Sequence, residues 1–379
     1  MKMTIAMFGH KRLTSREGGI EVVAEALSTR MAALGHEVTC YDRGGHHVCG
    51  EAFDPVRQRE HKGVRIRTVP TLDRKGLAAV TSSFFAAAAA AFGPAQVVHI
   101  HGEGPAAMSF LPAWMGKKVV VTVHGLDWKR EKWGRGPGAV YLRWGEKMAV
   151  RHAHAIIVLT ESDRQYFWDA YRRETTVIPN GITLRQPLES DAFLRQNGLK
   201  RQAYLLFVGR LVPEKGIHHL IRAYRNLKTE KKLVIVGGGS DCDDYVCRIR
   251  EQAQGDDRIL FAGFLRGQPL EELYSHAWLC VFPSSLEGMP LALLEAMSYG
   301  KACVASDLPA CRETAGAGAL YVPPADPAAL EVCLQRLLAD DSQVRELGLA
   351  ARQEILKKWD WDRVTEETLA LYRRAGGAS

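Results

Sequence analysis

The sequence predicts an α/β fold with two doubly wound parallel sheets, one in each half of the chain. Apolar runs rich in β-branched residues, such as KKVVVTVHG and KKLVIVGGG, alternate with segments of helical periodicity. The same rhythm starts again near residue 202, and 379 residues are enough for two domains. Buried strands separated by helices are typical of parallel sheets that helices cover on both faces.

The first half contains six predicted strands. The first, MTIAMFG, ends at Gly9, and the helical pattern GGIEVVAEALSTRMAALG that follows stops at Gly35. The other five are HEVTCYDR, VRIRTVP, AQVVHIHG, KKVVVTVHG and HAIIVLTES. The run FFAAAAAAFG, residues 84–93, is too short and too rich in alanine to span a bilayer, so it is predicted to be a buried helix.

The second half repeats the pattern with the strands AYLLFVGR, KKLVIVGGG, RILFAG, WLCVFP and ACVAS. The joint is predicted within VIPNGITLRQPL, residues 177–188, which is rich in Pro, Gly and Asn. We therefore expect a first domain at 1–184, a second at 185–358, and a C-terminal helix at 359–379 that crosses back to the first. Open α/β sheets bind ligands at the carboxyl ends of their strands, so a cleft between the two domains is the expected site.

Composition and charge exclude several classes of protein. The N-terminus has no secretory signal pattern, and most of the eight cysteines lie in apolar runs, which predicts reduced thiols and a cytoplasmic location. Residues 1–184 carry 25 Lys and Arg against 17 Asp and Glu. This balance suits an acidic membrane surface or an anionic substrate, and equally an ordinary solvated surface. No motif for nucleic-acid binding accompanies it, so no such partner is expected.

The loop FVGRLVPEKG follows the first strand of the second half. Gly209 permits a tight turn, and Arg210 and Lys215 place two cations beyond the strand end. Such a pair suits a diphosphate, since Arg binds as a planar fork and Lys as a mobile point charge. The alternative is a solvated loop whose cations face water.

Cofactor and metal sites are not predicted. The glycines at 237–239 follow a strand and would permit close approach to a ligand or form a flexible turn, but they lack the G-x-G-x-x-G spacing of dinucleotide-binding sites. Nicotinamide chemistry is therefore disfavoured. The run GGHHVCG with Cys49, and the pair Cys242 and Cys247, lack a second ligand cluster at zinc spacing.

The stretch SSLEGMPLALLEAMSYG carries two glutamates at the start of a predicted helix. Pro290 fits the first helical turn, so the helix is predicted to begin near Met289, with Glu287 and Gly288 just before it. The amides of such a helix start favour an anion such as phosphate. Glu295 lies among apolar neighbours and needs a partner, for which the hydroxyls of a ribose would serve. The alternative is a charge on an amphipathic helix.

Taken together, FVGRLVPEKG, the triple glycine, FAGFL and PSSLEGMPLALLEAMSYGKACVASD resemble the donor-binding half of retaining glycosyltransferases of family 4, which have the GT-B fold. The resemblance implies that Arg210 and Lys215 hold the donor diphosphate, that Glu287 grips the transferred sugar, and that Glu295 holds the ribose. It also assigns Gly288, Met289 and Pro290 to a phosphate-binding helix start and residues 264–266 to the border of the nucleobase site.

In the first half, the resemblance implies that the loop with Gly18 and Gly19 lies near the donor phosphate and the acceptor. It implies further that His124, in VTVHGLDW, contacts the donor sugar, with Asp127 as its partner. Other residues receive local predictions: an acceptor site beside His101 and Glu103, a packed position for His99, and capping or turn roles for Thr160, Glu161 and Asn180.

The resulting hypothesis is a hexosyltransferase that uses a nucleotide diphosphate sugar, with a UDP-sugar expected, and needs no metal or cofactor. The resemblance to enzymes of bacterial cell-surface polysaccharide assembly implies a glycan or lipid-linked acceptor and peripheral contact with acidic lipids of the inner leaflet. Two alternatives remain: a sugar-nucleotide epimerase of the same architecture, and a non-catalytic protein that binds sugar nucleotides.

Overall fold

Short β-branched runs form the strands, and the helices between them cover the sheets. The computed structural model describes residues 2–15, 17–45, 59–74, 76–130, 134, 136–239, 243–358 and 360–376. The chain divides into unit 1, which comprises Met1–Gly181 and Asp360–Ser379, and unit 2, which comprises Ile182–Trp359. The boundary lies within the predicted joint and three residues before the predicted end of the first domain at 184.

The sheet of unit 1 has the strand order β3-β4-β2-β1-β5-β6-β7-β8. All described pairings are parallel except that of β3 with β4, which is antiparallel. The strands are β1 (Thr4–Phe8), β2 (Glu37–Arg43), β3 (Glu60–His61), β4 (Val64–Val69), β5 (Val97–His101), β6 (Lys118–Val123), β7 (Ala155–Val158) and β8 (Thr176–Val177).

The helices of unit 1 include one from the far end of the chain. They are α1 (Gly19–Ala33), α2 (Leu77–Phe92), α3 (Glu103–Ala106), α4 (Phe110–Trp114), α5 (Pro137–His152), α6 (Glu161–Tyr171) and α15 (Trp361–Gly376). The last of these belongs to unit 1 by its contacts: Arg30 Nε donates to Asp362 Oδ1 at 2.7 Å, and the Tyr372 ring is buried. A Cβ on Gly181 would lie 2.8 Å from the backbone nitrogen of Trp361, so the chain passes this helix closely.

The alanine-rich helix α2 is only half buried. Its alanines at 86, 87, 90 and 91 pack into the core of unit 1, whereas Phe84, Phe85 and Phe92 are exposed. The prediction of a buried helix is therefore wrong for the phenylalanine face. The small alanine side chains let the helix approach the sheet, and the larger rings are left on the opposite side.

Unit 2 has a sheet of order β11-β10-β9-β12-β13-β14, and all its described pairings are parallel. Its strands are β9 (Tyr204–Val208), β10 (Lys232–Val236), β11 (Ile259–Gly263), β12 (Leu279–Phe282), β13 (Ala302–Ser306) and β14 (Leu320–Val322). Its helices are α7 (Ala192–Gln196), α8 (Ile217–Arg225), α9 (Asp243–Ala253), α10 (Gln268–His276), α11 (Leu291–Ser298), α12 (Pro309–Ala315), α13 (Pro327–Leu338) and α14 (Asp341–Lys358).

The predicted fold class, with two parallel α/β sheets, is confirmed. Three strands escaped the sequence analysis: β3, β8 and β14, each at the edge of a sheet and two or three residues long. No helix in the described part of the chain is both long and apolar enough to cross a membrane.

Gly145 allows α5 to pack directly on α3. A Cβ at this position would lie 2.0 Å from the carbonyl oxygen of Glu103 and 3.3 Å from the amide nitrogen of Ala107. The Tyr141 hydroxyl of the same helix donates to the Gly104 carbonyl at 3.0 Å. The two helices therefore meet backbone to backbone, and no side chain fits between them.

We expect Gly145→Ala to destabilise the protein despite the better helix propensity of alanine. The gain in propensity is about 1 kcal/mol, whereas the added methyl must displace a backbone carbonyl. A net loss of about 1–3 kcal/mol is expected, as for other overpacked sites. The measurement is the free energy of unfolding in urea. Val140→Ala, at an exposed position of the same helix, serves as the control and should change it by less than about 0.5 kcal/mol. Equal stabilities of the two variants would contradict the packing argument.

Candidate active site

In unit 2, the loops that follow β9 and β12 converge at the carboxyl edge of the sheet. Gly216 adopts a left-handed conformation with φ of 68°, and a Cβ there would lie 2.0 Å from the Pro283 carbonyl oxygen. The Ser285 amide donates to the Glu214 carbonyl at 2.9 Å. These backbone contacts hold the FVGRLVPEKG loop against the SSLEGMP loop. The two loops lie at the same edge of the sheet because they follow adjacent parallel strands, β9 and β12.

Lys215 and Glu287 form an ion pair across these two loops. Lys215 Nζ lies 2.6 Å from Glu287 Oε1, and Ser284 Oγ donates to the same oxygen at 2.6 Å. The side chains are 20% and 9% exposed. The sequence analysis named both charged residues but gave them separate tasks, and it missed Ser284. A carboxylate has about four acceptor positions, so these two contacts leave capacity for further hydrogen bonds.

The turn after β9 is held by backbone contacts. The Gly209 amide donates to Val236 O, and the Leu211 amide donates to Gly238 O, each at 3.0 Å. A Cβ on Gly237 would lie 1.8 Å from the Gly209 carbonyl oxygen. Gly237 is thus required for packing of the loops after β9 and β10. The sequence analysis had instead offered close approach to a ligand or a flexible turn. Arg210 follows Gly209 and is half-buried.

The helix after β12 begins two residues later than predicted. Pro290 has extended backbone angles and precedes α11, whose first residue is Leu291, so the predicted start at Met289 is wrong. The Pro290 carbonyl instead accepts the amides of Leu293 and Leu294. No side chain caps this helix start. Met289 is buried and Gly288 half-buried, and both lie directly between Glu287 and the helix.

Glu295 lies one helical turn inside α11 and already has a protein partner. The Tyr274 hydroxyl lies 3.3 Å from its Oε2, and the Tyr274 ring stacks on Tyr299 with centroids 5.4 Å apart. Burial, with the Glu295 charge adding to it, raises the pKa of Tyr274 well above its usual value, so this hydroxyl stays protonated and donates. The sequence did not identify Tyr274, which lies on α10. Phe264, at the predicted nucleobase border, is exposed after β11.

In unit 1, His124 follows β6 and contacts a second histidine. Its Nε2 lies 3.1 Å from His101 Nδ1, and burial lowers the pKa of His124 to about 4. The ring is therefore neutral near pH 7. Asp127, the predicted partner, forms an ion pair with Arg130 at 2.5 Å. Its carboxylate nevertheless opposes the burial effect on His124.

The neighbouring strand end is buried. His99 contacts Thr122 Oγ1 and the Tyr372 hydroxyl, each at 2.6 Å, which confirms its packed position. His101 and Glu103 are buried as well, so the expectation that they line an acceptor site is wrong for this structure. Their local sequence could not reveal this, because α5 packs on Glu103 and Tyr372 of α15 packs on the neighbouring His99, and both helices lie far along the chain.

The glycine loop before α1 has an acidic neighbour. Gly18 is the extended residue before the helix, Gly19 is its first residue, and a Cβ on Gly18 would lie 2.7 Å from Glu21 Oε2. Glu21 Oε1 also accepts the Lys11 amide at 2.8 Å. A carboxylate of the protein therefore lies at this helix start.

Other local predictions have mixed outcomes. Thr160 caps α6 by accepting the Asp163 amide at 3.1 Å, which confirms its capping role. Cys49 and Cys242 lie outside the described residues, and Cys247 is exposed. Within the described ranges, no three His, Cys, Asp or Glu side chains are grouped so that they could hold a metal ion.

Two family models match the chain, and they divide it near the boundary of the two units. Residues 17–186 match the model described as Glycosyltransferase Family 4, and residues 189–354 match the model described as Glycosyl transferases group 1. Together they cover the chain from 17 to 354 apart from residues 187 and 188.

Two relatives match large parts of the chain. Alpha-maltose-1-phosphate synthase from Mycobacterium tuberculosis is 29% identical over 337 residues, which are 81% of this chain and 86% of the relative. O-antigen chain mannosyltransferase B from Escherichia coli is 30% identical over 232 residues, 58% of this chain and 61% of the relative.

Among solved structures, sucrose-phosphate synthase from Thermosynechococcus elongatus has a TM-score of 0.82 at 24% identity over 100% of both chains. HepE from Anabaena, solved with UDP-glucose, has a TM-score of 0.80 at 19% identity over 97% of this chain and 99% of that chain. These likenesses show the GT-B fold. The chain therefore belongs to glycosyltransferase family 4, and it is an enzyme that transfers sugars.

Proposed function

We propose that this enzyme transfers a hexose from a nucleotide diphosphate sugar, with UDP as the nucleotide, to a hydroxyl group of a glycan or lipid-linked acceptor. Retention at the anomeric carbon and independence of metal ions are part of the proposal. The observation that carries it is the buried Lys215–Glu287 pair between the loops after β9 and β12. HepE, the neighbour solved with UDP-glucose, supports the choice of UDP.

The leaving diphosphate is the group that needs stabilisation. Cleavage of the bond between the anomeric carbon and the phosphate oxygen leaves negative charge on the diphosphate. Lys215 has three N–H donors, so it can hold Glu287 and a phosphate oxygen together. Arg210 supplies a second cation, and the uncapped start of α11 supplies amides. In this proposal, the two cations and the helix amides stabilise the leaving diphosphate without a divalent ion.

The sugar and the ribose are assigned to the two glutamates. Glu287, with acceptor capacity beyond Lys215 and Ser284, binds hydroxyls of the transferred sugar. Glu295, held by the Tyr274 hydroxyl, binds the ribose. His124 is proposed to contact the transferred sugar as a neutral ring. Gly288 and Met289 border the phosphates before α11. For Gly18 and Gly19 we retain a role near the acceptor.

Retention follows if the acceptor attacks from the side that the diphosphate leaves. The acceptor oxygen bonds to the anomeric carbon, the carbon–oxygen bond to phosphate breaks, and the acceptor proton passes to the departing phosphate oxygen. No carboxylate is assigned as a nucleophile, because Glu287 is engaged by Lys215 and Glu295 is assigned to the ribose. The anomer that is released first distinguishes this route from inversion.

The acceptor class is proposed from the relatives. The names of two relatives, O-antigen chain mannosyltransferase B and alpha-maltose-1-phosphate synthase, describe saccharide synthesis. The name of the mannosyltransferase supports a glycan or a lipid-linked glycan as the acceptor of this enzyme. Extraction of labelled product into butanol would indicate a lipid-linked acceptor, and label that stays in water would indicate a free glycan.

Lys215→Met tests the diphosphate assignment. Loss of one well-placed cation should lower the turnover of the donor about 100-fold, as the loss of a single oxyanion donor does in other enzymes. Release of UDP from UDP-glucose is the measurement. Lys228→Met, an exposed lysine of the same unit, is the matched control and should leave turnover unchanged.

Because Lys215→Met leaves Glu287 unpaired, Lys215→Met/Glu287→Gln should be measured as well, with the melting temperature of each variant. Turnover of Lys215→Met within threefold of the wild type would contradict the assignment. Free sugar released at the same rate with and without a glycan or lipid-linked acceptor, with no glycosylated product, would instead indicate the epimerase-like chemistry, because transfer to water alone is also expected of a transferase.

Glu295→Gln tests the ribose assignment. A hydrogen bond to a charged group contributes about 1.5–3 kcal/mol, so the wild type should bind UDP at least about tenfold more tightly than 2′-deoxy-UDP. In Glu295→Gln this ratio should fall below threefold. Titration calorimetry measures both ligands, and Glu346→Gln, at an exposed site on α14, is the control. A ratio unchanged by Glu295→Gln would remove Glu295 from the ribose site.

A further inference from the structure

Glu103 connects two strand ends of unit 1 although it is buried. It is the first residue of α3, directly after β5, and is 1% exposed. Its Oε2 accepts the backbone amide of Asp127 at 2.8 Å. Asp127 begins a short 3₁₀ turn after β6, three residues beyond His124. The Glu103 side chain therefore holds the segment 124–130 against the end of β5.

Glu146 holds the same segment from a second side. This residue of α5 is fully buried, and its carboxylate accepts the Trp128 indole N–H at 3.1 Å and the Tyr166 hydroxyl at 2.9 Å. The Tyr171 hydroxyl is a third donor to it. Glu146 lies next to Gly145, where α5 packs backbone to backbone on Glu103. Asp127 and Trp128, neighbours in the chain, are thus held by two neighbouring carboxyl groups, Glu103 and Glu146.

We propose that Glu103 is a positioning residue for sugar transfer: it holds the Asp127 amide beside the buried Glu146 cluster and so fixes segment 124–130 behind His124. The inference rests on the proposed function, because that proposal gives His124 its task. Glu103 does not touch the substrate in this account, since its carboxyl is enclosed by protein.

The proton on this pair of acids explains how two carboxyl groups can share a buried site. Burial raises the pKa of Glu103 to about 11, and the neighbouring Asp127 and Glu146 act in the same direction. Glu103 is therefore uncharged near neutral pH. Its Oε1 is buried and has no hydrogen-bond partner among the described residues, so no donor there favours the charged form.

The charged and titratable groups around Glu103 come from three elements. Asp127, paired with Arg130, lies on the turn after β6. Glu146 lies on α5, and Tyr171 on α6 has a hydroxyl whose pKa is raised, first by burial and also by Glu146 and Glu103. None of these groups supplies a positive charge directly to Glu103, so the neutral acid is the stable form.

Two substitutions separate positioning from chemistry. In Glu103→Gln, the amide oxygen can accept the Asp127 N–H as the carboxyl oxygen does. Glu103→Leu has a similar volume but cannot accept this hydrogen bond. Hydrogen exchange of the peptide that covers residues 124–130 should be within twofold of the wild type in Glu103→Gln and at least tenfold faster in Glu103→Leu. Equal exchange in the two variants would overturn the proposal.

The kinetic measurement is UDP release from UDP-glucose. Glu103→Gln should keep kcat within threefold of the wild type, whereas Glu103→Leu should lose at least tenfold in kcat with the KM for UDP-glucose changed less than threefold. Loss of turnover in Glu103→Gln would show that Glu103 acts as a base and would overturn its positioning role. A wild type without donor turnover would contradict the proposed function, and hydrogen exchange would still decide the role of Glu103.

The pH dependence of stability supplies a test that needs neither turnover nor the leucine variant. The folded wild type keeps a proton that the unfolded chain releases above the ordinary pKa of Glu near 4.5. Unfolding therefore releases a proton, and wild-type stability falls as the pH rises between about 5 and 9. Glu103→Gln carries no such proton. The melting temperature of Glu103→Gln minus that of the wild type should rise by several degrees from pH 5.5 to pH 8.5. A difference that stays constant or falls would contradict the retention of a proton by Glu103 in the folded protein.

Discussion

The ion pair between Lys215 and Glu287 is the interaction on which the proposed donor site of unit 2 depends. Glu287 is nearly buried, and a buried carboxylate without a partner would cost several kcal/mol. The pair forms because Gly216 lets the loop after β9 touch the Pro283 carbonyl of the loop after β12. Backbone packing thus sets the distance between the two charges. Under the proposed function, a diphosphate would meet a cation already in place, so little reorganisation would be needed.

Unit 1 organises its strand ends by a different principle. There the groups are buried and mostly neutral: His124 and His101 have pKa values lowered by burial, and Glu103 keeps its proton. Neutral groups can be enclosed at much smaller cost than charges. The strand end at His124 is thus lined mostly by uncharged groups, in contrast to the charged Lys215–Glu287 pair of unit 2. The two units therefore share a sheet architecture but differ in the charge of the groups at their strand ends.

The fold could be predicted from the sequence because central strands are continuous β-branched runs, and all eleven predicted runs are strands in the structure. The edge strands β3, β8 and β14 are two or three residues long and carry no such signal. The charged residues Lys215 and Glu287 were identified because their motif is local. Tyr274 was missed because it reaches Glu295 from another helix, and the burial of Glu103 depends on α5, which lies some forty residues away. Contacts of this kind are set by packing, which sequence periodicity does not encode.

The most direct test of the account is donor cleavage with water as acceptor, followed by proton NMR with and without EDTA. UDP-glucose, UDP-galactose, GDP-mannose and dTDP-glucose, all α-linked, form the panel. The account predicts that at least one donor releases its nucleoside diphosphate at a rate unchanged by EDTA, and that the α-anomer of the free sugar appears first. Initial release of the β-anomer would contradict retention, and cleavage that requires a divalent ion would contradict stabilisation of the leaving group by Arg210 and Lys215.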